Sequence, residues 1–473
     1  MTRLIGLVVV VFGAFGLAAG WLAFSPLQKP SIGEPDRAAG PAEAARAEPP
    51  TTVGAVRHEF FLSQEDVAND RETPAVAADD LGHVLLAWAA QSGESERTLY
   101  LARSTDGGKS FLAPVPWRKV PIYKYSSAAK GQREAMSYST HVLPRLVSTR
   151  GEIVLGWVEA IDGGPAVAYF IARSTDGGQS FGEPAKIHGG DASRPGFTTL
   201  SVAPDGSLLA AWLDGRNRGQ QPFFAAKPAN SEGFEPERLV YAGPDGKGIC
   251  PCCDVAAIRV PDGSDLVAFR NSDGGHRDIY LASARAGGPF GKPAPLSLDN
   301  WTFEGCPHDG PSLALGENRL YATWMSAFSG RNRVYVAGSA ASDLSFTPHE
   351  LHPGAKGAQA HPKLVVDGRG KLYAVWDESL DDSGPAPTST HHAGGHGAPL
   401  TGTGRAVMIA AATDGDLQFS TPTAAGPRAG AFQLNPTVVA GNDGAILIAW
   451  NELLPSGKRV VFVRREPSGE NRR

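Results

Sequence analysis

The 473-residue chain has no run of basic residues and no segment in which aromatic side chains alternate with Lys or Arg. Its 44 basic and 49 acidic residues give a net charge of −5. Because proteins that bind nucleic acid usually carry a concentrated positive surface, nucleic acid is not an expected partner. The sequence also lacks a phosphate-binding loop, a nucleophile elbow and an HExxH zinc motif, which excludes the reaction classes that those motifs indicate.

Charged residues are scarce as well, at 20% of the chain, whereas glycine (57 residues), proline (37 residues) and hydrophobic residues (42%) are plentiful. Abundant glycine and proline predict many turns, and the hydrophobic content is ample for a core. This composition favours a folded, loop-rich, all-β domain.

An octapeptide occurs twice, at 104–111 (STDGGKSF) and at 174–181 (STDGGQSF). Its Asp side chain can accept hydrogen bonds from backbone N–H groups two residues on, and its two glycines tolerate positive φ. Each copy therefore predicts a hairpin turn whose final Phe packs between neighbouring sheets. The pattern Ser-x-Asp-x-Gly-x-Ser-Phe resembles the Asp box of the sialidase superfamily, whose members are β-propellers. The resemblance implies a propeller in which the box lies far from the active site.

A second repeat is a strand of the form apolar-x-apolar-Ala-Trp, or a close variant of it. Seven such strands end at Trp88, Trp157, Trp212, Phe269, Trp324, Trp376 and Trp450. Successive aromatics are about 60 residues apart, which suits four short strands and their loops. The sequence predicts an all-β propeller of four-stranded blades over residues 58–466, followed by a polar tail at 467–473. Seven blades are counted, and six, the usual number in sialidases, is the alternative.

The closure of this propeller is also predicted. The last unit ends after residues 457–465 without an outer strand, and residues 57–62, ahead of the first unit, have the pattern of a strand. We expect the N-terminal strand to complete the last blade, because an unpaired strand edge would otherwise be exposed.

The N-terminus carries an uncharged hydrophobic segment from Leu4 to Phe24, preceded by Arg3. Residues 1–26 are interpreted as an export signal, either a cleaved signal peptide or an uncleaved membrane anchor. Residues 27–57 are rich in Pro and Ala and are interpreted as an extended linker. The predicted location is periplasmic or extracellular, with the membrane contacted through the N-terminal segment.

All four cysteines fall in two short segments, CPCCD at 250–254 and CPHD at 306–309. Cys253 precedes Phe269 by as many residues as His308 precedes Trp324, so the two residues are predicted at equivalent places in adjacent units. Each place comes just before the innermost strand of its blade, where the central channel opens. We expect six side chains to lie at this channel mouth: Cys250, Cys252, Cys253, Cys306, His308 and His361.

Other polar residues are also predicted close to the start of the innermost strand of a unit. His141 and Arg145 flank the start of the second unit, Arg194 precedes the third, and Asn435 precedes the seventh. The predicted ligand-binding residues are His141, Arg145, Arg194, Asp254 and Asp309. A small molecule, a glycan or a metal ion is the expected ligand.

Two interpretations of the cysteines stay open. In an oxidising compartment they would form disulfides, for example Cys250 with Cys306 beside a vicinal Cys252–Cys253 bridge. Alternatively, thiolates and imidazoles at one mouth would bind a soft ion such as copper or zinc. A mixed arrangement and redox-active thiols are further alternatives.

Two more features bear on function. A loop with His391, His392 and His396 has a composition that can bind transition metals or can simply be solvated. The resemblance to sialidases implies a rival function, an exo-sialidase-like glycoside hydrolase acting on sialylated or related glycans. The family's arginine motif ahead of the first blade is absent, so no catalytic residues are assigned.

Overall fold

The structure is a computed structural model that describes residues 55–63, 73–127, 136–190, 192–217, 219–297, 299–305, 307–382, 402–413, 415 and 417–467. The predicted export signal, Cys306, the three-histidine loop and most of the polar tail lie outside these residues. None of the helices among the described residues has the length and apolar character needed to cross a bilayer.

The described residues form thirty strands and two short 3-10 helices, Ile161–Gly163 and Pro244–Gly246. In chain order the strands are β1 Ala55–Ser63, β2 Ala75–Ala78, β3 Val84–Gly93, β4 Glu96–Ser104, β5 Val115–Pro121, β6 Lys124–Ser127, β7 Met136–Ser139, β8 Arg145–Thr149, β9 Glu152–Ala160, β10 Val167–Ser174, β11 Ala185–Lys186, β12 Pro195–Val202, β13 Leu208–Asp214, β14 Gln221–Lys227, β15 Arg238–Leu239, β16 Ala256–Arg259, β17 Ser264–Arg270, β18 Ile279–Arg285, β19 Ala294–Pro295, β20 Ser312–Leu315, β21 Arg319–Ser326, β22 Arg333–Ala340, β23 His349–Glu350, β24 Gln359–Val366, β25 Lys371–Ser379, β26 Arg405–Thr413, β27 Thr423–Ala424, β28 Phe432–Ala440, β29 Ile446–Leu454 and β30 Gly457–Arg465.

The strands form antiparallel sheets of four neighbours in chain order. Five such sheets are β2–β5, β8–β11, β12–β15, β16–β19 and β20–β23. A larger sheet combines β24–β27 with β28, β29, β30 and β1, and a single parallel pair, Arg405 with Phe432, joins its two halves. Strands β6 and β7 form a separate hairpin between the first two sheets. The prediction of an all-β chain of four-stranded antiparallel units is confirmed, and the architecture is consistent with a β-propeller.

The seven aromatic residues of the repeat all lie on the second strand of a unit, and none is more than 3% exposed. Trp212 on β13 illustrates their packing, because its ring contacts Tyr169 of the preceding sheet at a centroid distance of 6.4 Å. The core is therefore spread between neighbouring sheets, since each second strand presents a large aromatic to the sheet before it.

The first strands of consecutive units contact one another in cyclic order. Strand β2 contacts β8, and the series continues through β12, β16, β20, β24 and β28, which contacts β2 again. The first strands are therefore the innermost elements of the arrangement. We call the side on which they begin the mouth.

The N-terminal strand β1 pairs antiparallel with β30, with Phe60 opposite Val460. The ring of Phe60 also stacks on Trp88 at 5.3 Å. Strand β1 thus lies beside the C-terminal strand and contacts the first unit that follows it along the chain.

The two octapeptides form the same turn. The Oδ1 atom of Asp106 accepts hydrogen bonds from the backbone N–H groups of Lys109 (3.0 Å) and Ser110 (2.9 Å). Asp106 therefore accepts hydrogen bonds from the residues three and four positions after it. The sequence had predicted donors two positions after it, which the structure corrects. Gly108 has φ +84°, and a Cβ there would lie 2.8 Å from the ring of Phe462, so both its backbone angle and its contacts require glycine.

Candidate functional site

Three cysteine sulfurs lie together on the mouth side, just before β16. The Sγ atom of Cys250 is 3.8 Å from that of Cys252 and 3.6 Å from that of Cys253. The three residues are 1%, 6% and 2% exposed, respectively. All three sulfurs lie within 4.8 Å of one another, and among the described residues this is the cluster of potential metal ligands that the geometry singles out.

Local backbone contacts hold this segment in place. A short 3-10 turn at Pro244–Gly246 precedes it, and the N–H of Ile249 donates to the carbonyl of Gln220 at 2.8 Å. The N–H of Cys250 donates to the carbonyl of Arg270 at 3.3 Å, and Phe197 packs against the three cysteines. The loop therefore folds back on itself, which brings residues two and three apart in sequence onto one point.

Among the described residues, no disulfide joins any two of Cys250, Cys252 and Cys253. No vicinal bridge joins Cys252 to Cys253 in this structure. Pairings that involve Cys306 lie outside the described residues and stay a prediction.

The thiols of Cys250 and Cys253 differ in pKa. Hydrogen bonds from Cys252 and Cys253 lower the pKa of the Cys250 thiol well below its usual range, and the nearby charges of Arg270 and Arg277 lower it further. Burial raises the pKa of Cys253 to about 12, and its bond to Cys250 adds to that rise. The pKa of Cys250 and the pKa of Cys253 thus shift in opposite directions within one cluster.

His308 lies beside the cysteine segment, as its register predicts, but its ring is not part of the sulfur cluster. Its Nδ1 atom is 3.3 Å from the carbonyl oxygen of Cys252, so the nearest contact is with the backbone. His308 also has φ +55°, in the left-handed region that non-glycine residues rarely adopt.

Left-handed φ angles recur at equivalent places around the mouth. The residues that share this feature near the start of a first strand are Leu143 (49°), Phe197 (48°), His308 (55°), His361 (52°) and Asn435 (54°). The pairing of β12, β24 and β28 with the next strand also shifts in register at these points. Strain that repeats in this way is typical of positions that turn a side chain towards a functional surface.

His361 belongs to a network of carboxylates. Its Nδ1 atom is 2.7 Å from Oδ2 of the fully buried Asp377, and its backbone N–H donates to Oδ2 of Asp309 at 2.6 Å. Burial alone would lower the pKa of His361, but the charges of Asp377 and Asp309 and the bond to Asp377 raise it overall. His361 was predicted as a metal ligand, and the structure places it with these carboxylates while the sulfurs cluster without it.

Two cationic side chains from different sheets converge on Asp254 at the mouth. Asp254 lies 3.5 Å from a guanidinium nitrogen of Arg145 on β8 and 3.9 Å from Nζ of Lys363 on β24. One third of the Asp254 side chain is exposed. Burial raises the pKa of the neighbouring Asp309, which is 1% exposed. Two predicted binding residues, Arg145 and Asp254, thus meet, together with a lysine that was not predicted.

The remaining predicted binding residues are arranged differently. Arg194 is exposed, and among the described residues its contacts are those of its backbone, whose N–H donates to Asp214 at 3.0 Å. His141 is half-buried just ahead of β8. The structure does not bring Arg194 to the Arg145–Asp254 pair.

The residues predicted for the site do not include Arg270, Arg277, Lys363, Asp377 and Arg405. One signal could have found two of them, because Arg270 and Asp377 directly follow the repeat aromatics Phe269 and Trp376. A charged residue at the end of a buried strand points to a partner that must also be buried.

No protein-family model matches this chain, and no curated protein matches it. Among solved structures, a protein of unknown function from Dyadobacter fermentans is similar with TM-score 0.44 and 15% identity, covering 71% of this chain and 97% of that one. A Trypanosoma rangeli sialidase is similar with TM-score 0.45 and 13% identity, covering 88% of this chain and 60% of that one. A Penicillium chrysogenum alpha-L-arabinanase complexed with arabinobiose is similar with TM-score 0.45 and 14% identity, covering 88% of this chain and 99% of that one. Likeness at this level carries no information about ligand or catalysis.

Proposed function

We propose that this protein binds a soft metal ion, copper or zinc, through the thiolates of Cys250, Cys252 and Cys253. The supporting observation is the sulfur geometry. Thiolates at about 2.3 Å from a tetrahedral ion are separated by about 3.8 Å. The Sγ atom of Cys250 is 3.8 Å from that of Cys252 and 3.6 Å from that of Cys253, which agrees with this distance. Two of the three sulfur–sulfur separations thus match those expected around a bound ion, and the third is no longer than 4.8 Å.

The chemistry of the donors also suits a soft ion. Thiolate ligands favour Cu(I) and zinc over the hard ions that carboxylates prefer. The three cysteines are also buried, with at most 6% of any of them exposed. His308 is the candidate for a fourth ligand, because its ring already contacts the backbone carbonyl of Cys252 at 3.3 Å.

The proposal includes the shape of the molecule around this site. The cyclic contacts of the first strands and the pairing of β1 with β30 support a ring of seven blades closed by the N-terminal strand. In such a ring the cysteine loop borders the opening of the central channel. In the sequence, His391, His392 and His396 fall between the end of β25 and the start of β26.

We also propose that the metal site works outside the cytoplasm. The hydrophobic segment from Leu4 to Phe24 supports export and membrane anchoring. Expression of the full chain with a reporter fused to its C-terminus, followed by protease treatment of intact spheroplasts, tests this placement. A protected reporter in intact spheroplasts would refute it.

A second candidate is a sialidase-like glycoside hydrolase, and the convergence of Arg145, Asp254 and Lys363 favours it. Cations of this kind can hold the carboxylate of an acidic sugar. Release of a fluorescent leaving group from a sialoside, lost on Arg145→Ala but kept on Cys252→Ser, would support the hydrolase against the metal site.

The decisive test of the metal proposal is elemental analysis of protein prepared without a histidine tag. The native protein should hold about one equivalent of copper or zinc, and Cys252→Ser should lose it. Asp254→Asn is the matched control, since it changes the residue next to the cysteines without removing a sulfur. Retention of metal by Cys252→Ser, or a native protein free of metal after loading with either ion, would refute the proposal.

A further inference from the structure

The sulfurs of Cys250 and Cys253 lie close enough to react with each other. Their Sγ atoms are 3.6 Å apart, and the two residues are 1% and 2% exposed. A disulfide bond is about 2.05 Å long, so its formation would bring these two atoms closer by roughly 1.5 Å. The residues are also three positions apart in the sequence, which is the spacing of Cys-x-x-Cys motifs that alternate between dithiol and disulfide.

The other two pairs of sulfurs are less suited to a bond. Cys252 and Cys253 are neighbours, and Cα atoms across a trans peptide are about 3.8 Å apart, below the usual separation of about 4.4 to 6.8 Å in disulfides. Cys250 and Cys252 flank Pro251, whose ring fixes φ and limits how far the two side chains can turn towards each other. The carbonyl oxygen of Cys252 contacts His308 at 3.3 Å.

The segment is anchored at its start and reaches the surface directly after it. The N–H of Cys250 donates to the carbonyl of Arg270 at 3.3 Å, and Phe197 packs against the cysteines. Pro251 is exposed, and so is one third of the Asp254 side chain. A local opening of this short loop is therefore enough to let a small reagent reach the sulfurs.

We propose that Cys250 and Cys253 form a redox couple that controls the metal site, holding the ion as thiolates and releasing it when they close to a disulfide. The inference rests on the proposed function. A sulfur in a disulfide has no thiolate charge, and the thiolate is the form that binds metal. Oxidation would therefore leave Cys252 as the one thiolate of the described cluster, too few sulfurs to retain a soft ion.

The oxidant is a small-molecule disulfide, a class of reagent that an oxidising compartment supplies. The thiolate of one cysteine attacks the reagent, forms a mixed disulfide and displaces one thiolate of the reagent. The thiolate of the second cysteine then attacks the cysteine sulfur of the mixed disulfide, so that the bond from Cys250 to Cys253 forms and the second thiolate of the reagent leaves. The two cysteines lose two electrons, the reagent gains two, and the metal ion leaves with its charge unchanged.

The test uses the full-length, untagged chain, reduced and then prepared with and without Zn(II), an ion that takes no part in electron transfer. Oxidised glutathione is added, free thiols are trapped by alkylation at intervals, and the bond is mapped by mass spectrometry. Released zinc is followed with a chromophoric indicator. The variants are Cys250→Ser, Cys252→Ser and Cys306→Ser, and thermal melting of each checks that it folds.

We expect a bond between Cys250 and Cys253 in the native protein, in Cys252→Ser and in Cys306→Ser, and no such bond in Cys250→Ser. Bound zinc should slow the reaction at least about tenfold, and each equivalent of bond formed should release one equivalent of zinc.

A main product that joins Cys252 or Cys306, the absence of any bond, or zinc retained by the oxidised protein would overturn the redox inference while leaving the metal site in place. A reduced native protein that binds no metal would instead overturn the proposed function, and the mapped bond would still show whether the two cysteines form a couple.

Discussion

The imidazole Nδ1 of His361 lies 2.7 Å from Oδ2 of Asp377, a carboxylate that is fully buried. Arg405 donates to the other oxygen of the same carboxylate at 2.8 Å. One carboxylate thus joins two cationic side chains, and it also accepts the backbone N–H of Asn435 at 3.1 Å. Because His361 and Asn435 begin neighbouring first strands, this carboxylate ties two units together at the mouth.

This pair predicts a pH dependence of stability. The pKa of His361 is raised above its ordinary value of 6.5 by Asp377 and Asp309. The stabilisation is therefore fully present below about pH 6.5 and is lost as the pH rises through the raised value. Asp377→Asn should weaken this dependence strongly, leaving only the effect of Asp309, and should lower the free energy of unfolding by roughly 3 kcal/mol, since Arg405 loses a buried partner.

Urea unfolding at several pH values, with an NMR titration of the His361 ring, measures both effects. Asp382→Asn is the control, because it removes an exposed partner of Arg331 and should leave the titration of His361 unchanged. A titration of His361 that is the same in Asp377→Asn and in the native protein would contradict the assignment.

The turns of the two octapeptides predict a local effect on stability. Asp106→Ala removes bonds to Lys109, Ser110 and Ser104 and should cost about 1 to 2 kcal/mol of unfolding free energy, without loss of metal. Burial opposes these bonds, but they lower the pKa of Asp106 to about 2. Its stabilisation is present above pH 3.8 and is lost as the pH falls towards 2.

Thermal melting and metal content of Asp106→Ala check this prediction, with Lys109→Ala as the control because only the backbone of Lys109 bonds to Asp106. Loss of metal at an unchanged melting temperature would show that the turn has a direct functional role.

The amino-acid pattern predicted the strands well because a buried second strand requires a large apolar residue at a fixed place, as Trp212 and Trp376 illustrate. It predicted the cysteine loop because register fixes which residues begin each first strand. It could not predict the partner of His361, since the choice of Asp377 depends on a side chain from the neighbouring strand β25. Nor could it predict that backbone carbonyls accept the hydrogen bonds of the Arg270 guanidinium. Every residue has a backbone carbonyl, so the sequence does not show which of them accept.

The pairing of β1 with β30 predicts that residues 58–63 are essential for stability. Their deletion would expose the hydrogen-bonding edge of β30 and remove Phe60 from Trp88, so the cooperative thermal transition should be lost or shifted strongly downwards. Phe60→Ala is the milder variant and should cost about 2 kcal/mol. Leu112→Ala, at a 61% exposed position, is the control. An unchanged melt after the deletion would contradict a ring closed by this strand.

The most direct test of the central claim is X-ray absorption spectroscopy of the full-length, untagged protein after loading with Cu(I) or with Zn(II). Three cysteine sulfurs around one ion predict a first shell of about three sulfur scatterers at about 2.3 Å. Cys253→Ser should reduce the number of sulfur scatterers or abolish binding. A first shell made only of nitrogen and oxygen, or the absence of bound metal, would contradict the account.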